Sequence, residues 1–124
     1  MRQTDEARIG SVLAFAQSAL PLNKIESGPT DSLGLGPEFQ AHQALDWVLQ
    51  DLRRFPSRGW RLIQAGLRSP VVRNRNMAIM ALAAWPRDSW DSSMRSFIEQ
   101  ARDTEPLKDV RRLMENLLKG DPIS

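Results

Sequence analysis

The chain contains no cysteine, which excludes disulfides, thiolate nucleophiles and sulfur-ligated metals. It holds a single histidine, His42, so a multi-histidine metal site and any mechanism needing two imidazoles are excluded as well. No apolar run approaches the ~18 residues of a membrane span. The first ten residues, MRQTDEARIG, open polar and acidic, against a secretory leader. A cytoplasmic location with no membrane partner is therefore expected. β-branched alternation, the mark of strands, is nearly missing. What remains is ordinary globular material: 124 residues, 41% apolar and 26% charged. That suits one domain over residues 1–124, long enough to bury roughly two-thirds of the unfolded chain's surface.

Helical periodicity fills most of the chain. Thr4 can cap a first helix over 1–20, with Ile9, Val12, Leu13, Ala16 and Leu20 on one face and Pro21 at its end. Residues 21–36 form a long connection rich in Pro, Gly and Ser. It is either a mobile linker or a partly packed loop, and Ile25, Leu33 and Leu35 favour packing. From Pro37 to Arg54 a second helix points Phe39, Ala41, Ala44, Leu45, Val48 and Leu49 inward. Pro56 and Ser57 open a third, carrying Trp60, Leu62, Ile63, Gly66 and Leu67. Ser69 and Pro70 open a fourth, which ends before Pro86. Asp88 caps a fifth with Trp90, Met94, Phe97, Ile98 and Ala101 on its apolar face. Glu105 and Pro106 open a sixth, which Gly120 closes. The short turns imply antiparallel helix pairs.

The chain matches itself when slid by 36 residues. Pro70 falls on Pro106, Arg75 on Arg111, Met77 on Leu113 and Leu82 on Leu118, while Leu62 falls on Ile98. A slide of 33 sets Pro37 on Pro70 and Leu49 on Leu82. Helix pairs recurring at this period are the signature of an α-solenoid. Glu105–Pro106, then Val110–Arg111, then Leu113, Met114, Leu117 and Leu118 resemble the second helix of HEAT or HEAT-like repeats. Ser69–Pro70, Asn74–Arg75 and Met77 to Leu82 match less fully, and Pro37 to Leu49 is a degenerate copy. The resemblance covers residues 37–119. It implies an all-α fold, a short right-handed α-α superhelix of about six helices built mostly for binding. It also implies structural roles for Pro70, Asn74, Arg75, Pro106 and Arg111, the two arginines packing or hydrogen-bonding between repeats. The last helix, polar on one face through Lys108, Arg112, Glu115 and Lys119, suits a cap. The chain reads as a complete small stack or as the capped C-terminal end of a longer protein.

Charge is the strongest functional signal. Residues 53–87 carry eight arginines and no acid, against flanks that are net acidic. Arginine outnumbers lysine 14 to 3, which favours planar, bidentate contacts. Arg58, Arg61, Arg68 and Arg73 are candidates for a contact surface, with pairing to the acids of neighbouring helices as the competing reading. Asn74 lies on an apolar side, so burial obliges it to hydrogen-bond. Trp47, Trp60, Trp85 and Trp90 suit packing, or stacking if exposed beside arginines. His42 and Asp46 stand one helical turn apart, but no nucleophile completes a triad. Gly34 to Pro37 is a turn, lacking the lysine and strand of a phosphate loop.

These features favour a non-catalytic scaffold for protein–protein interaction, with no cofactor and no metal. The alternative is nucleic-acid binding or, as the resemblance to HEAT-like proteins implies, a glycosylase-like activity needing one carboxylate such as Asp46 or Asp51. At the centre, Met77, Ala81 and Leu82 are expected between the third and fifth helices, against Leu62, Ile63, Phe97 and Ile98.

Overall fold

Apolar stripes at helical spacing gather, in a computed structural model that describes residues 2–121, into an all-helical chain. Its seven helices are α1 (Arg2–Ala19), α2 (Leu22–Ile25), α3 (Gln40–Leu52), α4 (Trp60–Leu67), α5 (Val72–Ala84), α6 (Ser92–Thr104) and α7 (Lys108–Lys119). Single 3-10 turns occur at Pro37–Phe39 and Arg87–Ser89. The helix beyond the six expected is α2, one turn inside the long connection. No strand forms among the described residues, and Ser32 and Val71 make an isolated parallel bridge. No described helix is long and apolar enough to cross a membrane.

Several helix starts differ from the sequence expectation, each for a local reason. Thr4 lies inside α1 rather than ahead of it. α4 begins at Trp60, because Ser57 and Gly59 both take positive φ and keep Pro56 to Gly59 in turns. A Cβ on Gly59 would stand 2.8 Å from Leu52 Cδ1 and 3.0 Å from Leu13 Cδ2, so that close approach requires glycine. Asp91, not Asp88, caps α6: its Oδ1 accepts from Met94 N at 2.8 Å, and this bond holds the carboxyl below the ordinary range. Asp88 sits in the preceding 3-10 turn, which extended Trp90 separates from the helix. Ser69 does serve the start of α5, accepting from Val71 N, although the helix itself begins at Val72. Gly120, at φ 81, closes α7.

One core runs from Ile9 to Leu118. α3, α5 and α7 touch in succession, α4 touches α6, and the pairs α4·α5 and α6·α7 join these two rows. The central helix is α5, in contact with α3, α4 and α7. Its crossing with α4 passes through Ala78 and Gly66, whose added Cβ would lie 3.1 Å from Ala78 Cβ. That close approach rotates α5 so that Ala78 and Ile79 are buried with Ala81 and Leu82. Met77 turns out of the expected face and meets Arg53 of the α3 end, Nη2 to Sδ 3.5 Å. α3 is rotated in the same way. It buries Leu45, Asp46, Leu49 and Leu52, while Ala44 is exposed.

The long connection is packed, and of the side chains expected to anchor it only Ile25 does so. Ile25 is buried, whereas Leu33 and Leu35 are each 72% exposed. Backbone bonds hold it instead, Gly28 N donating to Arg68 O at 2.9 Å and Val72 N to Ser32 O at 3.0 Å. Thr30 Oγ1 adds a bond to Pro70 O at 2.8 Å.

Two substitutions test this packing. Gly66→Ala would bring Cβ within 2.9 Å of Leu49 Cδ1 and 3.1 Å of Ala78 Cβ. Overpacking of roughly 1–3 kcal/mol should outweigh the ~1 kcal/mol propensity gain of replacing glycine in a helix. Leu82→Ala should leave a cavity and cost roughly 2–5 kcal/mol. Urea denaturation of both variants measures these losses, and a more stable Gly66→Ala would contradict the crossing.

Candidate interaction surface

α5 carries two polar side chains, Asn74 and Arg75, into the core. Asn74 Nδ2 donates to His42 O at 2.8 Å and to Asp46 Oδ1 at 2.5 Å, and its Oδ1 accepts from Ser69 Oγ at 2.8 Å. Asn74 thus ties α5 to both the backbone and a side chain of α3. Arg75 is fully buried beside an equally buried Glu105. Its Nε and Nη2 donate to the two carboxylate oxygens, each at 2.7 Å, a bidentate fork. Nη1 donates to the carbonyls of Ser69 and Pro70. Pro106 follows Glu105 in the turn that Arg75 grips. Arg111 donates to Glu105 O at 2.9 Å.

Bonds recur between the two turns. Arg75 reaches Ser69 O and Arg111 reaches Glu105 O, each six residues back. Val71 N donates to the side chain of Ser69, and Leu107 N to that of Glu105, each two residues back. Equivalent positions 36 residues apart therefore perform equivalent bonding.

The candidate contact arginines each meet a different neighbour. Arg58 precedes α4, with Nη2 3.4 Å from where a Cβ on Gly10 of α1 would stand. Arg61 pairs with Glu26, Nη2 to Oε1 2.6 Å, and reaches Asn23 Oδ1. Arg68 lies over the Phe97 ring, 4.9 Å from its centroid. Arg73 pairs through Nε with Asp46 Oδ2 at 2.6 Å. Farther along, Arg87 donates to the carbonyls of Leu117 and Leu118, closing the end of α7.

A different surface emerges between α3 and α5. Trp47 is 74% exposed and borders a groove of about 320 Å³ with Gln43, Asp46, Gln50, Arg73 and Met77. The other tryptophans do pack: Trp85 is buried and donates Nε1–H to Leu52 O, Trp60 meets Phe97 edge-on, and Trp90 lies beneath Arg87. Sequence reasoning grouped Trp47 with these three and did not single out Arg53. The spacing Gln43, Trp47, Gln50 along α3 was the available signal for an outward stripe.

His42 and Asp46 do not form a working pair. Both Asp46 oxygens are taken by Asn74 and Arg73. The imidazole stands edge-on to Phe39, and both its ring nitrogens are buried without a partner. Burial lowers its pKa, and Asp46 opposes this only in part. No group of three metal-ligating side chains occurs among the described residues.

Two measurements follow from this chemistry. Glu105→Ala should strip a buried guanidinium of its counter-charge and cost about 3–5 kcal/mol, read by urea denaturation. His42 has a folded pKa below the unfolded value near 6.5. Its contribution to stability is therefore complete above about pH 6.5 and falls as the pH drops toward the lowered value. Stability should decline as the pH falls below about 6.5, and His42→Leu should flatten that slope.

Comparison of the chain with known protein families, with curated proteins and with solved structures returns no match.

Proposed function

We propose that this chain is a short HEAT-like helical stack that serves as a non-catalytic protein-interaction module, and that it binds through the groove between α3 and α5. Trp47 is the observation that carries the reading. A large aromatic left 74% exposed, beside a groove and between polar side chains, is what an interface anchor looks like before its partner arrives. The stacked arrangement draws support from the contact order α3, α5, α7 and from the bonds repeated at Ser69 and Glu105. The same arrangement places α3 and α5 side by side with one shared outer face.

Trp47 is preferred as the anchor to Arg58, Arg61 and Arg68, of which Arg61 is paired with Glu26 and Arg68 lies over Phe97. Protein is favoured over nucleic acid as the partner. Arg61, Arg73, Arg75 and Arg87 already bond carboxylates or carbonyls, so they do not form a row of free cations for phosphates. Catalysis at His42 is disfavoured by its occluded ring nitrogens.

Trp47→Ala tests the reading. An exposed side chain away from the core should leave stability within about 0.5 kcal/mol, whereas an interface anchor should cost about 2 kcal/mol of binding or more. Affinity purification of wild type and variant in parallel should recover a protein with the first and lose it with the second. Equal recovery from both would remove the groove from the proposal.

A further inference from the structure

Cations near the groove differ in what satisfies them. Arg53 follows α3 directly, one helical turn beyond Gln50, and is half-buried. Its Nη2 meets only the thioether of Met77 at 3.5 Å, and its Nε is buried with no acceptor. A guanidinium held against sulfur, with no carboxylate partner among the described residues, keeps an unmet demand for an anion. Arg73 faces the same groove from α5. Asp46 holds it through Nε, which aims the guanidinium and leaves its terminal nitrogens outward on a side chain 60% exposed. Asp46 is in turn fixed by Asn74. The aim is therefore set before any partner binds.

The groove thus joins two apolar side chains, Trp47 and Met77, to the Arg73–Asp46 pair in its lining, with Arg53 beside it against Met77. We infer that its occupant is a protein segment in which a carboxylate side chain neighbours an apolar one: the apolar group packs on Trp47 and Met77, and the carboxylate pairs with Arg53. This rests on the proposed docking role of the α3–α5 face and adds the chemistry of the partner. Charge complementarity carries it: Asp46 offsets Arg73 inside the groove, and the positive charge left over beside it lies on Arg53, which has no carboxylate partner among the described residues. A polyphosphate backbone fits less well. Asp46 stands in the wall, and a floor of indole and thioether offers a phosphate nothing.

Peptides of defined composition test the inference. The probes are an acetylated twelve-residue peptide of glutamate and leucine, the same peptide with glutamine for glutamate, and a single-stranded oligonucleotide. The readout is the NMR signal of the Trp47 indole N–H, assigned by its loss in Trp47→Phe. The glutamate peptide should shift that signal and bind at least about tenfold more tightly than the glutamine peptide. Arg53→Gln should abolish the difference, and added salt should weaken the glutamate peptide alone. Arg53→Gln breaks no ion pair of the described residues, so its melting temperature should stay close to that of the wild type. Arg53→Lys, which retains the charge, should keep part of the preference.

Equal binding of the two peptides, an unchanged preference in Arg53→Gln, or a shift produced by the oligonucleotide instead would each overturn the inference. So would silence toward both peptides. The docking role itself is judged separately, by whether Trp47→Ala loses a partner in purification.

Discussion

Arg75 and Glu105 form a fully buried ion pair, and the order of the C-terminal half depends on its being complete. Taking two charges out of water costs several kcal/mol for each ion, so such a pair persists only when its remaining donors and acceptors are also met. Here they are. The fork takes both carboxylate oxygens, the third nitrogen takes two carbonyls, and Leu107 N adds a donor to the carboxylate. Because Ser69 and Pro70 lie in the turn before α5 and Glu105 in the turn before α7, the pair locks these two turns in register. Helix packing alone would leave α5 and α7 freer to slide, since apolar contacts are non-directional.

The arginine surplus between residues 53 and 87 acquires a structural meaning from this. Arg75 joins turns, Arg61 pins α2 through Glu26, and Arg87 satisfies carbonyls at the end of α7, where a cation also suits the helix dipole. The same residue type thus performs three jobs, each using the planar spread of guanidinium donors that lysine lacks. Arg73, its side chain 60% exposed, lines the groove beside Trp47, and Arg53, with its Nε unpartnered, adjoins that groove through Met77.

That groove exists because α3 and α5 are rotated relative to a simple reading of their apolar stripes. Gly66 lets α4 approach Ala78 closely, which fixes the roll of α5 and swings Met77 outward. On the facing helix, Asp46 is drawn inward by Asn74 and Arg73. A carboxylate therefore occupies a place that hydrophobicity would assign to an aliphatic residue, and its neighbour Trp47 is turned to the surface.

Much of the helical order was legible before folding. Proline and glycine punctuation, the periodic faces of α1 and α7, the closing role of Gly120 and the central position of α5 all follow from local backbone preference and hydrophobic spacing, which act over a few residues. The obligation of Asn74 to hydrogen-bond also follows from its place on an apolar side. Three things did not follow. The partner of Arg75 lies 30 residues away, and no spacing rule couples the two. The connection over residues 21–36 is held by backbone amides and carbonyls, which every sequence carries, rather than by Leu33 and Leu35. The exposure of Trp47 depends on the roll of α3, set by Asn74 and Arg73 on another helix. Local sequence determined where helices form and which faces they offer. Tertiary structure alone decided which charges are satisfied, and so which remain for a partner, because that depends on contacts between residues far apart in the chain.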